Sequence, residues 1–194
     1  GALRDRLAAE MPIRLPEIAR RDEAADGSVK LGLRLSDGAL IEAVSMPGST
    51  AFAQVNEFTD ARAVAEARDP APGTRTSTPP TEKFTVCLSS QTGCAVDCAF
   101  CVTGRLGAGR NLTAGEILGQ LYAVLDATGR TTQGLRVVFM GMGEPFLNPE
   151  GVLPALEILF ELIPPRRVTV STSGITPAFA AFAALPRRPN LAVS

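Results

Sequence analysis

Cys94-Ala-Val-Asp-Cys98-Ala-Phe-Cys101 sets three cysteines in one short stretch, soon after the apolar run Phe84-Thr-Val-Cys-Leu88. This C-x3-C-x2-C spacing differs from the separated pairs of four-cysteine zinc sites and from ferredoxin runs, which supply a fourth cysteine. Three thiolates on one tight loop suit a cubane iron–sulfur cluster in which one iron has no protein ligand. An iron with open coordination binds and activates a small molecule, so the spacing points to chemistry rather than to electron transfer alone. The competing reading is a zinc site that recruits Cys87 as fourth ligand. The chain contains no histidine, which excludes mixed Cys/His zinc sites. All the cysteines lie between positions 87 and 101, unlike a disulfide framework spread over a secreted domain.

Strands and helices alternate around and after this loop. Residues 84–90 read as a strand and 114–127 as a helix, opened by the capping box Thr113-Ala-Gly-Glu116. Strand signals follow at 135–140, 167–172 and 191–194, with helices at 149–162 and 177–185 between them. Such alternation predicts a parallel α/β sheet with right-handed crossovers, whose ligands bind at the carboxyl ends of the strands. Three motifs fall there: the cysteine loop, Gly141-Met-Gly-Glu-Pro145 and Ser171-Thr-Ser-Gly174.

Upstream the signals are sparser. Residues 2–10 form a helix candidate ended by Pro12. Val29-Lys-Leu-Gly-Leu-Arg-Leu35, the turn Ser36-Asp37-Gly38 and Ala39-Leu-Ile-Glu-Ala-Val-Ser-Met46 read as a β-hairpin. Order weakens after Pro47. Residues 60–68 allow a helical turn or two, and the Pro/Gly/Thr-rich stretch 69–80 has linker composition, expected to be mobile and dispensable for folding. The expected organisation is a small α+β segment over 1–47, a largely disordered insertion over 48–82, and the strand–helix region over 83–194. Because the chain begins with Gly1 and stops on the apolar Leu191-Ala-Val-Ser194, it reads as a piece of a longer protein.

Composition narrows the setting. A formal net charge of -1 gives no global basic signal for nucleic acid. Lys30 and Lys83 are the only lysines among 19 basic residues, which reads as coding bias rather than function. No apolar run approaches the ~20 residues of a membrane span, and the N-terminus has no signal-peptide pattern. A cytoplasmic setting, where thiols stay reduced, is expected.

Individual residues carry competing readings. Glu144, held between Gly143 and a rigid Pro145, suits the ammonium group of a cluster-bound amino acid; otherwise it is a solvated turn residue. Ser171 and Thr172 suit a ribose or carboxylate, or simply make the turn before Gly174. Glu42 shares a strand face with Leu40, Val44 and Met46. If that face is buried, desolvation would raise its pKa toward that of a general base; if exposed, it is merely solvated. Cys87 is either a small buried hydrophobe or a partner of the site. Arg105 and Arg110 either contact phosphate near the loop or form salt bridges across it.

Taken together, these residues resemble the radical S-adenosylmethionine (radical SAM) methyltransferases of the ribosomal RNA adenine-C2 family. That family includes dual-specificity enzymes acting on transfer RNA and a resistance branch acting at adenine C8. The landmarks are Cys87-Leu-Ser-Ser-Gln-Thr-Gly-Cys94, Cys98-Ala-Phe-Cys101, Gly109-Arg-Asn-Leu-Thr113, Val137-Val-Phe-Met-Gly-Met-Gly-Glu-Pro145 and Arg166-Arg-Val-Thr-Val-Ser-Thr-Ser-Gly174. Weaker likeness runs from Leu3 to Pro47.

The resemblance implies a partial (β/α) barrel cut after about its fourth strand. It implies a [4Fe-4S] cluster on Cys94, Cys98 and Cys101, with SAM at Gly143, Glu144, Ser171 and Ser194. Glu42 matches the family's proton acceptor. Cys87 matches a cysteine that forms a transient disulfide with a methyl-carrying cysteine near the family's C-terminus. The implied partners are ribosomal or transfer RNA and a reductant such as flavodoxin or ferredoxin, with the protein a monomer. No cysteine follows Cys101, so these residues lack the methyl carrier and are expected not to methylate RNA alone. The stretch 48–83 is longer than the connection expected in the family.

Overall fold

The computed structural model describes Arg6, residues 15–48 and residues 82–194. The helix candidate at 2–10, Arg6 apart, and the readings for 60–68 and 69–80 lie outside the described residues.

Seven strands form one sheet in chain order. β1 (Glu17–Glu23), β2 (Val29–Arg34) and β3 (Leu40–Pro47) are antiparallel neighbours. β3 also pairs antiparallel with β4 (Phe84–Cys87), matching Val44 to Cys87 and Pro47 to Phe84. From β4 onward every pairing is parallel: β5 (Leu135–Phe139), β6 (Val168–Thr172) and β7 (Asn190–Val193). The expected parallel α/β arrangement is therefore present, and the sheet is open, with β1 and β7 at its edges. Residues 15–48 extend the same sheet as residues 82–194. Gly48 N donates to Lys83 O at 2.7 Å, so residues 48 and 83 sit side by side. Loop-closure entropy grows only slowly with length, which makes such a junction tolerant of a long insertion.

Local chemistry explains the helix limits. α1 (Ala114–Thr128) starts on the full capping box: Thr113 Oγ1 accepts from Glu116 N, and Glu116 accepts from Thr113 N. It ends at Gly129 in the left-handed conformation. α2 (Pro149–Leu162) is capped by Asn148 Oδ1, which accepts from Gly151 N at 3.1 Å. α3 (Thr176–Ala183) follows β6.

Alternate residues of each strand face opposite sides. Ile41, Ala43, Val86, Val137 and Val170 are buried against the helices, whose Leu121, Val124, Leu156 and Leu159 complete the core. The other face carries Val44, Met46, Cys87, Val138 and Met140, which line an open cleft of about 330 Å³. Among the described residues, α1 and α2 pack on the first of these faces only.

The structure departs from expectation in two places. The strand from Phe84 stops at Cys87 rather than running to Ser90; the Ser89 N–H and C=O are both taken by the Gln120 side chain instead. β1 was not expected at all; its sequence, EIARRDE, is exposed along its full length and shows no apolar alternation.

Candidate active site

The cysteine loop is closed at its base. Gln91 and Asn111 form an isolated bridge. Thr92 N donates to Arg110 O at 2.9 Å and Cys94 N to Gly107 O at 2.8 Å. The two arms meet so tightly that a Cβ on Gly93 would lie 2.2 Å from Gly107 O, and one on Gly109 2.4 Å from Gly93 N. Within the loop Cys101 N donates to Cys98 O at 2.9 Å, and a 3-10 turn follows at Val102–Leu106. All four cysteines are free and half-buried. Burial raises the Cys101 thiol, but the Gly104 and Thr103 N–H groups and the Thr103 hydroxyl outweigh it and leave the pKa lowered. Among the described residues no three Cys, Asp or Glu side chains close into a metal cage, so the sulfurs share a loop without meeting at one point. Phe100, 88% exposed, projects from the same loop with Val102 and Leu106.

A chain of hydrogen bonds joins the three motif loops. Asn111 Oδ1 accepts from Gln91 Nε2 at 2.7 Å, and Gln91 Oε1 accepts from Glu144 N at 2.8 Å. Glu144 Oε1 accepts from Phe146 N at 2.9 Å. Its Oε2 accepts from Ser173 N at 2.8 Å and Ser173 Oγ at 2.9 Å. The carboxylate is 5% exposed. Both carboxylate oxygens therefore have protein donors in this structure. The neighbouring loop supplies enough N–H donors to bury and occupy it, so Glu144 ties β5's loop to β6's. Gly143 lies directly against Gln91, where a Cβ would come within 2.5 Å of the Gln91 Cβ.

Ser171 is half-buried on the open-face side of β6, and Ser194 N donates to Thr172 O at 3.1 Å, extending the β6–β7 ladder. Glu42 does lie on the Leu40/Val44/Met46 face, and among the described residues no helix covers it. Its side chain is 50% exposed and pairs with Lys30 Nζ at 2.6 Å. Of the two readings open for Glu42, the exposed one is present. Cys87 stands on the same face, two residues along the β3 register from Glu42, and burial pushes its thiol up to about 11 against the lowering contact of the Met140 N–H. Arg110 takes the salt-bridge alternative: it is bidentate to Glu116 and also reaches Asp37 Oδ2 at 2.7 Å. Arg105 is exposed.

Residues 88–193, the span that holds all of these loops, match the Radical SAM superfamily. The chain belongs to that superfamily. It is 41% identical over 186 residues to a protein of Koribacter versatilis named "Probable dual-specificity RNA methyltransferase RlmN", covering 94% of this chain and 49% of that protein. It is 38% identical to the dual-specificity RNA methyltransferase RlmN of Alkalilimnicola ehrlichii, covering 90% of this chain and 41% of that one. The crystal structure of a radical SAM methyltransferase from Sphaerobacter thermophilus superposes with a TM-score of 0.75 at 34% identity, over 99% of this chain and 49% of that chain. The chain thus spans about half the length of the curated relatives it matches.

Radical SAM membership implies a [4Fe-4S] cluster and SAM. The donor set fits: three free thiols on one loop, one of them facing N–H donors, and no competing imidazole. Several residues of the radical SAM edge escaped sequence reasoning: Ser89, Gln91, Asn111, Gln120, Asn148 and Ser173. Gln120 alone left a readable trace, as a polar residue in the stripe Ile117, Leu121, Val124 that otherwise faces the core. Among the described residues no helix is long and apolar enough to cross a membrane.

Proposed function

We propose that this chain forms the cluster- and SAM-binding portion of an RNA methyltransferase that modifies adenine C2 in ribosomal RNA, with transfer RNA as a second substrate. The observation that carries this reading is the hydrogen-bond chain through Asn111, Gln91, Glu144 and Ser173. It brings the cysteine loop, the Gly141–Pro145 loop and the β6 loop to one edge of the parallel strands. The names of the relatives supply the substrate class.

In this reading Cys94, Cys98 and Cys101 hold the cluster. Bound there with SAM, it supplies reductive cleavage of the sulfonium. The Gly143–Glu144 backbone, Ser171 and Ser194 line the SAM site. Glu42, on the open face, accepts the proton released from the adenine ring, exchanging its Lys30 partner as it does so. Cys87 stays protonated at neutral pH, because burial holds its pKa near 11. It therefore becomes a nucleophile only when a base takes its proton. The methyl-carrying cysteine, an RNA-binding surface and docking for a flavodoxin- or ferredoxin-type reductant would come from the rest of such a protein, a cytoplasmic monomer.

Anaerobic reconstitution tests this. Uptake of iron and sulfide, with a reduced-cluster EPR signal altered by SAM, is expected; stoichiometric zinc with no response to SAM overturns the reading. In a full-length protein carrying these residues, mass spectrometry of treated ribosomal RNA should find methyl at adenine C2. The 194 residues alone should leave RNA unmethylated, and robust methylation by them would remove the case for a carrier cysteine.

A further inference from the structure

β4 ends at Cys87, so its ladder with β3 stops at the Val44–Cys87 pair. Two residues further along β3, the Glu42 carbonyl is taken by a side chain instead: Ser89 Oγ donates to Glu42 O at 2.7 Å. The same oxygen accepts from Met142 N at 2.9 Å, inside the Gly141–Pro145 loop. One hydroxyl thus holds two segments that are otherwise far apart in sequence.

Ser89 is itself clamped. Its N donates to Gln120 Oε1 at 2.9 Å and its O accepts from Gln120 Nε2 at 2.9 Å, and both residues are 0% exposed. A second observation is independent of these bonds. A Cβ on Gly141 would lie 2.7 Å from Ser89 Oγ and 2.8 Å from Leu88 O, so the loop reaches the hydroxyl only because residue 141 has no side chain.

We propose that Ser89 is a positioning residue: it locks the strand carrying Glu42 to the loop carrying Gly143, and Gln120 fixes Ser89 from behind. The proposal rests on the reading above in so far as Glu42 and Gly143 belong to one site. Misplacement by about 1 Å can lower turnover about 100-fold without touching a reacting group. Ser90 supplies a control in the adjacent position. It is equally buried, yet among the described residues its hydroxyl has no hydrogen-bond partner.

Amide hydrogen exchange on the protein, with or without cluster, decides the coupling. In Ser89→Ala, amides of 39–46 and 141–145 should lose protection together by about tenfold, as expected when a buried partner is removed. Ser90→Ala should leave both segments unchanged, and Ser89→Thr, which keeps the hydroxyl, should restore protection. Loss in only one segment, or in neither, overturns the proposal. If Ser89→Ala fails to fold, Gly141→Ala displaces the loop from an intact Ser89 and should give the same paired signature; wild-type exchange there also overturns it. In a full-length protein, Ser89→Ala should lower kcat 10- to 100-fold with RNA KM within about twofold. Absence of methylation by the unmutated protein would count against the proposed function, while the exchange result would still decide the role of Ser89.

Discussion

The antiparallel strands β1–β3 and the parallel strands β4–β7 share one sheet but reach the site by different routes. The parallel strands all point the same way, so the loops after β4, β5 and β6 emerge at one edge and their backbones can be bonded together. β3 runs the other way and supplies a side chain, Glu42, standing on a strand face; the β2–β3 turn supplies Asp37, which anchors Arg110. In the parallel half, then, a substitution breaks geometry. At Glu42, in the antiparallel half, it changes chemistry while leaving the fold almost untouched.

The largest effect that tests this contrast is on metal content. Cys98→Ala should abolish iron uptake on reconstitution, whereas Cys87→Ala, on a strand rather than the loop, should match wild type; equal losses would break the distinction. Next comes Gln120→Leu, which leaves the buried N–H and C=O of Ser89 without partners. Each unsatisfied group costs about 1–3 kcal/mol, so the urea midpoint should fall by an amount equivalent to about 3 kcal/mol at unchanged m. Thr113→Ala should cost about 1 kcal/mol by the same measurement, the ordinary worth of an N-cap.

A smaller effect is acid sensitivity at the seam between the halves. The side-chain bonds from Arg110 hold the Glu116 carboxyl below its ordinary value of 4.5. A depressed carboxyl contributes stability above that value and loses it as pH falls through the lower, folded value. Arg110→Met should therefore shrink the loss of stability seen on acidification from about pH 5 to about pH 3; an unchanged loss would show that the seam carries none of it. Smallest of all is Glu42→Gln. Its pair with Lys30 is half-exposed, and such pairs contribute about 0–1 kcal/mol, so the unfolding midpoint should barely move.

Much of the parallel half was legible because its signals are local. The Thr113-to-Glu116 capping box fixed the start of α1. The alternation of 39–46 placed Glu42 on the correct face. Parity cannot say which face the helices will cover, so it left both the buried and the exposed reading of Glu42 open, and the exposed one is found. β1 left no signal because an edge strand exposed on every residue needs no apolar pattern. The direction of the Glu144 carboxylate depends on Ser173, 29 residues away, and no local rule connects them. The role of Ser89 is likewise set by groups on α1, β3 and the β5 loop, a convergence visible only in three dimensions.

The crossing of Gly93 against residues 107–109 has a consequence of another kind. The arms touch there backbone to backbone, with only the Thr92 hydroxyl beside them, so the contact itself is polar and its apolar contribution to the melting temperature is small. A single methyl group at either glycine would nonetheless spring the arms apart and shift Cys94 relative to Cys98 and Cys101. Such a variant would express, purify and melt like the parent, yet be starved of iron. A thermal-shift screen would pass it as healthy, and only a metal assay would expose the fault.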